Sequence, residues 1–131
     1  MIEGINVRWP DASVCGIHCD YDAFSVEIQE AGQRKSAAKL VRCLGFLGFQ
    51  LIGFWDEIII HAARIHSNHD FITQCEQSVV NQLPSGSAER AVTGNHLLEI
   101  ELIDGCRLWV CARRFVLDGT GASDPSLGGA R

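Results

Sequence analysis

Apolar and polar residues alternate most cleanly between Phe24 and Gln29, where Phe24, Val26 and Ile28 face one way and Ser25, Glu27 and Gln29 the other. That period of two is the pattern of an antiparallel strand with one wetted face. Ile5, Val7 and Trp9 repeat it and predict a first strand over residues 2–9, ended by Pro10-Asp11. A shorter strand is predicted over residues 13–19, with Cys15, Ile17 and Cys19 set against Val14 and His18. Asp20-Tyr21-Asp22 then reads as a tight turn, and residues 31–36 as a polar loop.

The most apolar stretch, Cys43 to Ile60, carries Gly45, Gly48 and Gly53 and ends near a single acidic pair, Asp56-Glu57. The glycines, Gln50 and the acidic pair interrupt it too often for a membrane span, so it is read as the centre of a folded core. Repeated glycine weakens a helix and suits strands that bend, so residues 38–54 predict two strands broken at Gly45 or Gly48. The β-branched run Ile58-Ile59-Ile60 extends the strand reading from Trp55 towards Ile65.

A helix follows over residues 68–83. Phe71, Ile72, Cys75, Val79 and Leu83 recur at helical spacing, Ser67 or Asn68 can cap the first turn, and Asp70 suits the positive end of the helix dipole. Phe71, Ile72, Cys75 and Val79 are expected to be buried against the sheet. Residues 87–95 are small and polar and predict a surface loop. His96 to Ile103 alternates Leu98, Ile100 and Leu102 against Glu99 and Glu101, Asp104-Gly105 supplies a two-residue turn, and Cys106 to Leu117 returns as the second arm of a C-terminal hairpin.

This order predicts an α+β fold: a bent antiparallel sheet of about seven strands, or an open barrel, with one long helix on its concave face or across one end. With 131 residues the chain is expected to form a single domain over residues 1–118, followed by a Gly/Ser-rich tail over 119–131. The net charge of −5 is shared between the two halves of the chain, which argues against nucleic acid as a partner. No basic segment followed by an apolar run and a cleavage site opens the sequence, so the cytoplasm is the expected compartment and the six cysteines are expected to be reduced thiols.

Candidate chemistry is sparse. Cys15, His18 and Cys19 fall within five residues, but on a strand His18 points away from the two thiols and no second ligand pair stands at zinc spacing, so no metal is expected. His61, His66 and His69 with Asp70 are expected to diverge across a strand and a helix cap. No phosphate loop, nucleophile elbow or His-Glu-x-x-His motif is present, so neither a catalytic residue nor a cofactor is implied. The aromatics Phe46, Phe49, Phe54 and Trp55, with Asp56, Glu57 and His61, form the candidate ligand or partner surface.

Trp9-Pro-Asp-Ala-Ser-Val, Asp20-Tyr-Asp before the Phe24 strand, and Gly53-Phe-Trp-Asp-Glu before a β-branched run and a helix resemble small uncharacterised α+β proteins of bacterial mobile gene cassettes and toxin-immunity loci. The resemblance implies a non-enzymatic protein-interaction domain of immunity or accessory type and brings no catalytic residues with it. A homodimer is expected because one helix cannot cover a whole sheet face. The alternative is a small-molecule binding domain or minor enzyme using the concave face of the sheet.

Overall fold

The computed structural model describes residues 7, 9–20, 23–34, 37–54, 58–82 and 93–119. Its elements in chain order are β1 (Ser13–Cys19), β2 (Ala23–Gln29), β3 (Lys39–Leu44), β4 (Gly48–Ile52), β5 (Ile60–His66), α1 (Asp70–Gln82), β6 (His96–Leu102), β7 (Arg107–Ala112) and β8 (Arg114–Gly119). The fold is α+β, but the single bent sheet expected from the sequence is instead two antiparallel sheets of four strands, ordered β1-β2-β3-β8 and β4-β7-β6-β5, which do not close into a barrel.

The sheets divide where two neighbouring strands break together. Gly45, at φ +65°, ends β3, and the chain enters β4 of the other sheet at Gly48. Beside it Arg113 separates β7 from β8, and its N–H donates to the Leu44 carbonyl at 3.1 Å. A Cβ on Gly45 would lie 3.4 Å from that of Arg113, so the two breaks fold over each other. The glycines therefore mark a change of sheet rather than curvature within one. At the opposite corner Ser13 bridges Ile59, the Val14 N–H donates to the Ile58 carbonyl at 2.9 Å and the Ile60 N–H to the Ala12 carbonyl at 2.7 Å.

The main core lies between the sheets. Phe24, Val26, Ile28, Val41 and Cys43 from one face meet Leu98, Ile100, Leu108, Val110 and Ala112 from the other, each with no exposed surface. Burying an aliphatic or aromatic side chain of this size contributes about 1.5–3 kcal/mol, so this filled layer is the principal source of stability. Val7 and Trp9 join it, although neither lies in a strand, and the rest of the first strand expected from the sequence is outside the described residues.

The helix does not sit on a concave face. It covers the outer face of the second sheet, where Phe71, Ile72 and Cys75 meet Leu97 and Cys111, with Leu47 and Trp109 at the margin, while Val79 is only half-buried. In β1 a register shift at Cys15 turns Val14 and Ile17 inwards and leaves His18 and Cys19 exposed, overturning the expected division of faces. The β6–β7 turn has three residues rather than two: Leu102 N–H bonds the Cys106 carbonyl at 2.8 Å, and Gly105 takes φ +91°. Strand β8 includes Gly119, which composition alone joins to the tail; residues 120–131 lie outside the described residues. No helix among the described residues is long and apolar enough to cross a membrane.

Candidate functional site

Strand β4 ends one sheet. Its register against β7 runs without interruption from Gly48 opposite Cys111 to Ile52 opposite Arg107, and among the described residues its other edge is unpaired. Phe49 and Leu51 alternate onto the inner face but overhang the first sheet, leaving them 41% and 48% exposed. Phe49 is held by Phe24, whose ring centre is 4.5 Å away. Phe46 is half-buried beside the same ring at 5.9 Å and serves the core. Two residues after β4, Phe54 is 87% exposed while its carbonyl accepts the Cys106 thiol at 2.8 Å, which fixes the backbone there.

Phe54 thereby stands at the β6–β7 turn, where Ile58 and Ile103 are also exposed and the Ile103 N–H donates to the Ile59 carbonyl at 2.9 Å. Trp55, Asp56 and Glu57, expected on the same surface, lie outside the described residues. His61 is not brought to this edge. It is the bulged residue of β5, the far strand of the sheet, about 14 Å from β4 at the usual strand spacing.

The other end strands are guarded. β1 is bulged at Cys15, β5 is bulged at His61 and carries Arg64, and β8 carries Arg114 and Asp118. Charges and bulges discourage an edge from pairing with another chain, and β4, Gly-Phe-Gln-Leu-Ile, has neither.

A second cluster, absent from the sequence reading, occupies the outer face of the β4-β7-β6-β5 sheet beside the start of α1. Glu99 is 7% exposed, and its Oε1 accepts hydrogen bonds from Arg64 Nη1 at 2.8 Å and His66 Nε2 at 2.9 Å. Its Oε2 accepts the indole N–H of Trp109 at 2.9 Å. Burial pushes this carboxyl up, but the bonds from His66, Trp109 and Arg64, together with the Arg64 charge, bring it down to about 2.

His69 caps α1 in place of Ser67 or Asn68: its Nδ1 accepts the Phe71 N–H at 3.0 Å and its carbonyl the Ile72 N–H at 3.0 Å. Its ring meets Trp109 edge-on at 4.9 Å and lies 5.2 Å from that of His66, so these two histidines converge where the sequence predicts divergence. With every Glu99 oxygen engaged and the carboxyl ionised, the cluster ties β5, β6 and β7 together rather than offering a free base.

Cys15 bonds the Glu27 carbonyl through its thiol, His18 approaches the Glu27 carboxylate at 3.5 Å, and among the described residues no three His, Cys, Asp or Glu side chains are grouped to hold a metal ion. Compared with protein-family models, with curated proteins and with solved structures, the chain matches none of them.

Proposed function

We propose that this domain is a protein-interaction module without catalytic activity, and that the first partner of its β4 edge is a second copy of itself. The uncharged, unbulged edge of β4, with Phe49, Leu51 and Phe54 exposed beside it, carries the reading. An open edge offers a row of backbone donors and acceptors to an added strand, and apolar side chains beside it supply the burial. The sequence of β4 is also self-complementary. In an antiparallel pair centred on Gln50, Phe49 of one copy stands opposite Leu51 of the other on the same face, and no like charges meet. A two-fold contact of this kind buries the same patch on both copies.

The same edge would serve another protein's strand, which is compatible with an immunity-type or accessory role. The alternative of a small molecule bound on a concave face gains little support, since the space between the sheets is filled by Phe24, Ile28, Leu98, Ile100 and Leu108, all fully buried. A shallow cleft of about 380 Å³ beside Ser67, His69, Glu76 and His96 lies outside the sandwich, against the start of α1.

The test is light scattering on the eluting protein, with circular dichroism to confirm folding. A five-residue strand contact is at the small end of stable interfaces, so the dimer is expected at concentrations of about 50 µM rather than in the nanomolar range. Leu51→Lys adds a charge at an exposed position, and should leave the fold intact and give a monomeric mass. A monomeric mass for the native chain at that concentration would reject self-association.

A further inference from the structure

Two thiols that the interaction reading leaves unused meet under the helix. Cys75 projects from α1 and Cys111 from the outer face of β7, and both belong to the small buried cluster that attaches the helix to its sheet. Gly48, the register partner of Cys111 on β4, marks where they meet. A Cβ on Gly48 would stand only 2.9 Å from Cys75 Sγ, so the missing side chain is the seat of that sulfur. Side-chain positions of directly paired residues on neighbouring strands are about 4.5–5.5 Å apart, which places the Cys75 sulfur beside the Cys111 side chain. Each thiol shifts the other's ionisation, as side chains in contact do.

We propose that Cys75 and Cys111 form a redox-active dithiol that a low-molecular-weight disulfide, such as oxidised glutathione, converts into a covalent tie between α1 and β7. In the first step the Cys75 thiolate attacks one sulfur of the small disulfide, forming a mixed disulfide and releasing one small thiolate, which takes up a proton. In the second, Cys111 loses its proton and attacks the Cys75 sulfur, releasing the other small thiolate. The protein has then lost two hydrogens as one S–S bond, and the small disulfide has been reduced to two thiols.

The roles are unequal. Contact with Cys111 holds the Cys75 thiol below its ordinary range, against the opposing effects of burial and Glu76, whereas the same contact and burial push Cys111 up. Cys75 lies on the helix that opens and Cys111 has no exposed surface on β7, so Cys75 is the attacking thiol and Cys111 the resolving one. Cys43, by contrast, is raised to about 12 by burial alone, and the other thiol of its core cluster, Cys106, is engaged with the Phe54 carbonyl. Access comes from the helix itself, which has three buried side chains, Phe71, Ile72 and Cys75, none of them wholly enclosed, and can open locally without global unfolding.

The sequence makes the test direct. Trypsin cleavage after Arg64, Arg90, Arg107 and Arg113 leaves Cys75 in residues 65–90 and Cys111 in residues 108–113, each as the sole cysteine of its peptide, with Cys43 and Cys106 in others. Native folded protein is exposed to oxidised glutathione, freed of it, unfolded in guanidinium chloride containing N-ethylmaleimide so that every remaining thiol is alkylated, digested and weighed. The expected product is peptide 65–90 joined to 108–113, lighter by two hydrogens than the sum of the two, with Cys43 and Cys106 alkylated. In Cys111→Ala, which fills its site with a small apolar side chain, the mixed disulfide on Cys75 should accumulate instead. Alkylation of both Cys75 and Cys111 in the native chain, or a glutathione adduct on Cys75 that persists there as in Cys111→Ala, would overturn the proposal.

Discussion

Glu99 is one of two buried polar side chains among the described residues, the other being Asn95, and its surroundings decide what it contributes. An isolated carboxylate in this position would be strongly penalised, but Arg64, His66 and Trp109 occupy both of its oxygens. Because its folded pKa, about 2, lies below the unfolded value, the linked stability is fully present above about pH 5. It is lost as pH falls from there towards 2, by an amount on the order of 3 kcal/mol. Glu99→Gln should lower stability at pH 7 by about 2–4 kcal/mol, since an amide leaves one of the three donors unmatched. Urea denaturation from pH 7 to pH 3 should also show a shallower acid loss for the variant than for the native chain. Equal slopes in the two proteins would mean that Glu99 is not the group that titrates. The sequence assigns Glu99 to a wetted face because it alternates with Leu98 and Ile100. Alternation correctly separates the two faces of β6, but it carries no information about what lies over a face. Here Arg64 and His66 come from β5 through the pairing of Arg64 with Glu99, a register that no local pattern specifies.

At the scale of single elements the reading succeeds where side-chain period alone defines the element. Strand β2 differs by one residue from its expected bounds and α1 lies within the expected helix, because their apolar spacing distinguishes period two from 3.6 without help from distant residues, whereas β1 keeps its bounds but not its expected faces. Phe71 tests the helix contact, being 7% exposed with its ring 5.4 Å from that of Trp109. Phe71→Ala should cost about 3–4 kcal/mol by denaturant midpoint, whereas a loss below about 1 kcal/mol would place this face outside the core. Local pattern fails at the glycines, whose meaning depends on what approaches them. At Gly53, φ is +102° and a Cβ would stand 2.5 Å from Cys106 Sγ and 3.3 Å from its Cα. Gly53→Ala is therefore opposed by both backbone conformation and space, and should cost about 2 kcal/mol or more in the same measurement. A neutral result would require the turn around Cys106 to shift freely.

For the whole molecule, the sequence supplies strands and a helix but not the change of sheet, because that depends on two breaks distant in sequence, at Gly45 and Arg113, lying side by side. Dividing one sheet into two buries a face that a single bent sheet would have left open, and so removes the original reason for expecting a dimer. What remains is an edge, β4, whose exposed Phe49 and Leu51 lie beyond the cover of the first sheet. If two copies pair along it, folding and association are linked, and the apparent stability contains the protein concentration. For a dimer populated at tens of micromolar, raising the concentration from about 5 to about 500 µM should raise Tm by roughly 3–5 °C in a chain of this length. Leu51→Lys should have a Tm that does not move over the same range, because an unassociated domain unfolds with no concentration term. Scanning calorimetry separates the cases: a flat Tm in the native chain would remove the dimer. An equal rise in Leu51→Lys would move the contact away from β4, towards the exposed Phe54, Ile58 and Ile103 at the end of the sheet.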